Sequence, residues 1–97
     1  MKENENVEVI VLEAGADGGF IQNYPEITLQ DMQDIVGGFI EFIYLGDDVM
    51  VVNEEGLLLN KPYNHLANEF IKTKSPQMSE HTFIVGDVFI IKNKDLK

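Results

Sequence analysis

Six carboxylates are the side chains best placed to do chemistry: Asp31, Asp34, Asp47, Asp48, Glu54 and Glu55. Paired carboxylates hold divalent cations, move protons, or stand in for phosphate charge. Asp47-Asp48 and Glu54-Glu55 close opposite ends of one short segment that reads as a strand, which separates them by roughly 17–20 Å. The two pairs therefore do not share a metal ion. Neither carries the alternating Asp/Asn-x-Asp pattern of a calcium loop. His65 and His81 have no acid or second histidine beside them at ligand spacing, and Ser75 and Ser79 lack a nucleophile-elbow pattern. The absence of cysteine excludes thiol catalysis, disulfide scaffolding and the usual zinc sites. Gly15, Gly18 and Gly19 follow a strand-like run, but no phosphate-cradling glycine motif is present. The expectation is a protein with no catalytic residues, no metal and no cofactor.

The remaining role for the acids is to present charge. The chain carries 17 acids against 7 lysines and no arginine, a net charge of −10. From Glu3 to Asn60 there are 13 acids and no base; from Lys61 to Lys97 there are 6 lysines and 4 acids. Direct nucleic-acid binding needs a basic footprint and is excluded, as is adhesion to an anionic membrane. Acidity by itself also serves solubility, and turn chemistry accounts for the paired carboxylates. The one-sided distribution points further, to a partner with a basic surface, because complementary fields steer encounter.

A second set of candidates is polar and mixed: Asn53, Lys61, Tyr63 and Asn64. An aromatic ring for stacking beside amides and one ammonium suits a nucleotide or another small molecule, although the net charge opposes an anionic ligand.

These side chains need elements to hold them. Ninety-seven residues make a single domain, 1–97, with a folded core over 7–91 and tails at 1–6 and 93–97. The first six residues are polar and acidic, unlike a signal peptide, and no apolar run reaches membrane-spanning length. A cytoplasmic protein is expected. Val7 to Leu12 reads as a buried strand and Phe20 to Tyr24 as its hairpin partner. Thr28-Leu29-Gln30-Asp31 is a capping box, Ile27 and Met32 sit where a hydrophobic staple joins, and Gly37 is a left-handed stop. Leu29, Met32 and Val36 (or Ile35) mark the helix's apolar face.

Gly38 to Leu45 is apolar on both faces and reads as a central strand. Gly46-Asp47-Asp48 turns into a return strand, Val49 to Asn53. Glu54-Glu55-Gly56 turns again, before Leu57 to Leu59. Pro62 opens a second helix, with Tyr63, Leu66, Ala67, Phe70 and Ile71 as its buried stripe. Lys72 to Glu80 reads as an exposed loop, and Thr82 to Ile91 as the last strand region, bent at Gly86-Asp87. The fold class is α+β: a mainly antiparallel sheet, mixed pairing remaining open, of 4–6 strands with two short helices.

The blocks Val36-Gly37-Gly38-Phe39-Ile40-Glu41, Asn53-Glu54-Glu55-Gly56, Pro62-Tyr63-Asn64 with Ala67, and Val85-Gly86-Asp87-Val88-Phe89-Ile90 resemble, in order and spacing, a family of small uncharacterised proteins. The resemblance covers about Val7 to Ile91 and departs from it in the longer connection from Lys72 to His81. The family is a domain of unknown function found in phages, plasmids and their bacterial hosts. The resemblance implies an α+β fold and a mobile-element setting inside a bacterial host cell, and assigns no activity. Such small, acidic, arginine-free proteins are similar in size and charge to anti-CRISPR and anti-restriction inhibitors. The function expected on these grounds is inhibition of a basic, nucleic-acid-dependent host protein, Cas9 or its guide complex being one such target. Asp31, Asp34, Asp47, Asp48, Glu54 and Glu55 would make the contact. The alternatives are a small-molecule sponge built on Asn53, Lys61, Tyr63 and Asn64, or an assembly module of a phage or plasmid. Monomer and homodimer both remain open: an exposed Phe20 or Leu57–Leu59 edge would pair two subunits, and a buried position is equally open.

Overall fold

The computed structural model describes residues 6–96. Residues 1–5, most of the expected N-terminal tail, and Lys97 lie outside the described residues. The elements run β1 (Val7–Leu12), β2 (Phe20–Tyr24), α1 (Leu29–Val36), β3 (Ile40–Leu45), β4 (Asp48–Asn53), α2 (His65–Lys74), α3 (Pro76–Ser79) and β5 (Val88–Lys92), followed by a 3-10 turn, Asn93–Asp95. All five strands form one antiparallel sheet in the order β2-β1-β5-β4-β3. The α+β class is therefore as expected.

Two hairpins build the sheet's flanks, and β5 joins them. β1 and β2 pair from Val7↔Tyr24 to Val11↔Phe20; β3 and β4 pair from Ile40↔Asn53 to Leu45↔Asp48. The last strand in sequence enters between β1 and β4, with Val11↔Phe89 on one side and Val51↔Phe89 on the other. Phe89 is fully buried there.

The sheet is covered on both faces. Val9, Val49, Val51, Phe89 and Ile91 face α1, where Met32, Ile35 and Val36 pack against them. Met50, Val52, Val88 and Ile90 face α2, against Ala67, Ile71, Leu66 and Phe70. Alternate residues of β4 and β5 serve opposite layers, so both strands read as unbroken apolar runs.

The start of α1 is fully local in origin. Thr28 Oγ1 accepts from the Asp31 amide at 3.0 Å, and Asp31 Oδ2 accepts from the Thr28 amide at 2.9 Å. Ile27 and Met32, the two staple positions, both pack on the α1-side core. Gly37 ends the helix at φ 80° and donates to the Gln33 carbonyl.

Several expectations are corrected. β3 is an edge strand; its two apolar faces reflect cover above and below, which does not require a neighbour on each side. Asp48 belongs to β4, leaving Gly46 and Asp47 as a two-residue turn. Leu29 points to solvent at 57% exposure. The second helix starts at His65 with Asn64 as its cap, because Pro62 lies in the preceding extended segment and Tyr63 bridges Val85. Tyr63 accordingly leaves the buried stripe. The segment 72–80 is helical over most of its length: α2 runs to Lys74, and Pro76 opens α3 at its first position. The C-terminal tail is also structured, with Leu96 packed against the α1-side core.

Candidate functional site

Four of the sequence blocks singled out above meet at one end of the sheet, where β4 ends, β5 begins, α1 stops and α2 starts. Buried amides hold them together. Asn64, fully buried, donates through Nδ2 to the Gly86 carbonyl at 2.7 Å and the Leu12 carbonyl at 2.9 Å, while its Oδ1 accepts from the Ala67 amide at 3.0 Å. One side chain thus caps α2 and ties it to β1 and to the approach to β5. Asn53, also buried, donates to the Val36 carbonyl at 3.2 Å and accepts from the Glu55 amide at 2.7 Å. It anchors the C-terminus of α1 and starts the turn after β4. Gly38 lies directly beneath it: a Cβ there would sit 2.7 Å from Asn53 Nδ2.

Backbone bonds complete the end. The Glu54 amide donates to Phe39, Lys61 to Gly56, Asn64 to Ile84 and Gly86 to Pro62, the last at 2.7 Å. From the β1–β2 loop, the Ala14 amide donates to Asp87 Oδ1 at 2.9 Å. Asn68 adds a second amide clamp, donating to Asn64 and Ile84 carbonyls and accepting from the Ile84 amide.

Lys61 lies across this end. Gly86 has φ 79°, and a Cβ there would fall 2.8 Å from Lys61 Cδ; at Gly37 a Cβ would fall 3.4 Å from Lys61 Nζ. The lysine stem therefore rests on the one residue type that leaves room for it, and the ammonium reaches the C-terminus of α1. The last turn of α1 holds no base of its own. Lys61 supplies the cation that a helix C-terminus favours.

Of the second candidate set, then, Asn53 and Asn64 are committed to holding backbone, and Lys61 to covering a helix end. Tyr63 alone remains outward. It is 48% exposed and its ring lies 5.2 Å from that of Phe83. The sequence left Leu57–Leu59 open between an exposed edge and a buried segment; the structure exposes it, and Phe39 and Phe83 beside it in the fold went unread: all five are more than half exposed at this same end, Leu58 reaching 84%. Three consecutive leucines in a turn was the available signal, since turns are ordinarily polar. Glu54 and Glu55 flank them in the same turn, both exposed.

The six carboxylates do not form one cluster. Glu54 and Glu55 sit at the end just described. Asp31 is occupied as a capping residue, and Asp34, one turn further along α1, accepts from Gln30 at 2.8 Å. Asp47 is in the hairpin turn at the opposite end. Asp48 is no surface charge at all: it is 5% exposed and bound by Lys92 Nζ and Lys74 Nζ, each at 3.0 Å. The register pairs Asp48 with Lys92 across β4 and β5, and the C-terminus of α2 brings Lys74 to the same carboxylate.

Burial opposes ionisation of Asp48, but the hydrogen bonds and charges of Lys92 and Lys74 outweigh it and hold the carboxyl below its ordinary range. The same bond raises Lys92. Tyr24 is raised as well, first by burial and then by the nearby charges of Asp31 and Asp34.

This places Lys72, Lys74, Lys92 and Lys94 at or near the end opposite the Leu57–Leu59 turn. A groove of about 1330 Å³ opens on that side, its lining including Ile27, Phe42, Phe70, Lys74 and Lys92; of the expected site residues only Asp48 reaches it. Among the described residues no group of three or more His, Cys, Asp or Glu is arranged to hold a metal ion, and no helix is long and apolar enough to cross a membrane.

No curated protein and no solved structure matches the chain. Residues 7–96 match the family described as Domain of unknown function (DUF3846), which spans every strand and helix of the sheet and the end built around Asn53, Asn64 and Lys61; the chain belongs to that family.

Proposed function

We propose that this is a small acidic binding protein, which inhibits a nucleic-acid-dependent effector by occupying its basic nucleic-acid or guide-RNA surface. The observation that carries the reading is the exposed end where Phe39, Leu57, Leu58, Leu59, Tyr63 and Phe83 stand beside Glu54 and Glu55. Large apolar side chains gathered at one exposed place mark interaction surfaces. Carboxylates at their border select a partner whose own apolar patch is bordered by lysine and arginine.

Charge and apolar contact divide the work. Glu8, Glu13, Asp17, Glu26, Asp34, Glu41, Asp47, Glu54 and Glu55 are exposed, and no base interrupts them before Lys61. Their field draws in a basic surface; the leucines and aromatics then exclude water from the contact. A groove that holds nucleic acid has the required chemistry, and the channel of a Cas9-type effector is one example. A phage or plasmid element acting against its bacterial host is the setting in which such an inhibitor operates. The small-molecule reading is weaker, because Asn53 and Asn64 already bond backbone groups on both sides of their amides.

The test is a pull-down from bacterial lysate with tagged protein, washed at low and at high salt, beside a variant carrying Glu54→Lys, Glu55→Lys and Leu58→Asp. Capture of a basic nucleic-acid-binding effector by the natural chain alone, weakened by salt, supports the reading. Equal capture by the variant, or none by either, overturns it.

A further inference from the structure

The two edges of the sheet differ. β3 carries Glu41 in its interior, a charge that discourages pairing with another chain. β2 carries no such guard. Its sequence, Phe-Ile-Gln-Asn-Tyr, has no charge, no proline and no glycine, and Phe20 to Asn23 are all exposed. In a chain with 25% charged residues and a net charge of −10, this uncharged edge is where a second copy approaches at least electrostatic cost.

The edge is also self-complementary. We infer that β2 pairs antiparallel with β2 of a second copy, about a two-fold axis through Gln22, joining two five-stranded sheets into one. A two-fold perpendicular to the sheet places residues of one face opposite residues of that same face. Of the registers allowed, the one centred on Gln22 uses all five residues of the strand; Pro25 lies immediately beyond it. Phe20, Gln22 and Tyr24 lie on the α1 side, through their register with Val11, Val9 and Val7; Ile21 and Asn23 lie on the α2 side, opposite Ile10 and Glu8.

Across the seam Phe20 then meets the second copy's Tyr24, an aromatic pair on one face, twice by symmetry. Ile21, 58% exposed in the single chain, meets Asn23, and Gln22 meets itself. No acid stands directly opposite an acid: Glu26 falls opposite Gly18, and Asp17 opposite Ile27. Glu26 does lie diagonal to the second copy's Asp17, so this contact strengthens as salt rises. The basic-partner contact proposed above weakens with salt, and the two readings fail separately.

The experiment is sedimentation equilibrium of the full chain up to ~1 mM, the millimolar range in which weak contacts register, at low and high salt, with Gln22→Glu and Gln22→Lys alone and mixed. A doubling of the 11.0 kDa mass with rising concentration is expected for the natural chain, enhanced by salt. Each charged variant is expected to stay monomeric, with circular dichroism unchanged, and the equimolar mixture to regain the dimer, because residue 22 faces its own copy only in this register. Gln22→Cys, in a chain with no other cysteine, is expected to form an intermolecular disulfide on mild oxidation. A natural chain that is monomeric throughout, a dimer that survives both charged variants, or failure of the Gln22→Cys cross-link would overturn the proposal.

Discussion

Asn64 donates to the carbonyl of Leu12 across fifty-two positions of sequence, at 2.9 Å, and both groups are buried. The same amide nitrogen serves Gly86 and the amide oxygen caps α2. Replacing Asn64 by Leu keeps the volume and leaves three backbone groups without their partner. A buried polar group left unpaired costs about 1–3 kcal/mol. Asn64→Leu is therefore expected to destabilise by about 3 kcal/mol, and Asn64→Asp by a comparable amount, since a carboxylate cannot donate to two carbonyls. Urea denaturation monitored by circular dichroism reads both.

Asp48 gives the chain an acid-sensitive latch. Its carboxyl titrates lower in the folded state than in the unfolded chain, so the latch is fully present above the unfolded value and is lost as pH falls through the folded one. Lys92 is raised on folding, so its contribution is complete below its unfolded value and disappears as pH rises through the folded one. Stability is thus expected to decline at both extremes. Asp48→Asn is expected to flatten the acid arm and to cost about 1 kcal/mol at neutral pH, a figure kept small because both lysines are substantially exposed. Unfolding curves from pH 2 to 11 check both arms.

Gly86 and Lys61 are expected to be coupled. Gly86→Ala meets two obstacles, a left-handed backbone and the Lys61 stem. The first costs roughly 1–2 kcal/mol wherever it occurs. The second is expected to shrink when Lys61 is also Ala, giving a double-mutant cycle with an interaction energy of about 0.5–1 kcal/mol. Additive losses would show that the stem moves aside freely.

The exposed leucines predict a divergence between stability and binding. Leu58→Asp removes an 84% exposed apolar side chain and is expected to change stability by less than about 0.5 kcal/mol. Partner capture is expected to fall at least tenfold. By contrast Phe89→Ala, at the centre of the sheet, is expected to cost about 3–5 kcal/mol and to lose capture only by unfolding. Thermal melts beside the pull-down separate the two.

What could be read in the sequence was local. Thr28 and Asp31 sit three residues apart and cap one helix; Gly37 stops it; the β1–β2 and β3–β4 hairpins have near neighbours as partners. What could not be read depends on strand order. β3 has the apolar faces of a central strand, and nothing within it tells that β5 lies beyond β4 on the other side. Asp48 resembles any turn carboxylate until Lys92, forty-four positions on, is placed opposite it. Asn53 and Asn64 drew attention as polar groups in a patterned block. They are indeed focal, but as fillers of carbonyl and amide valences, which only the assembled end reveals. The exposed apolar end was legible only in part: Leu57–Leu59 is visible as a run, whereas Phe39, Tyr63 and Phe83 are brought to the same end by backbone pairing between distant segments.

The placement of β5 at the middle of the sheet governs how the chain emerges during synthesis. Two hairpins are complete well before residue 88 is made, yet until then β1 and β4 both present open edges and both apolar layers lack their central strand. Isolated two-stranded hairpins are marginal in water. The nascent chain is therefore expected to stay vulnerable to proteases and to stray pairing until β5 has been released and can enter between β1 and β4. A nonsense mutation anywhere before Val88 is expected to leave a fragment that lacks the central strand, so only chains that include β5 reach the folded state.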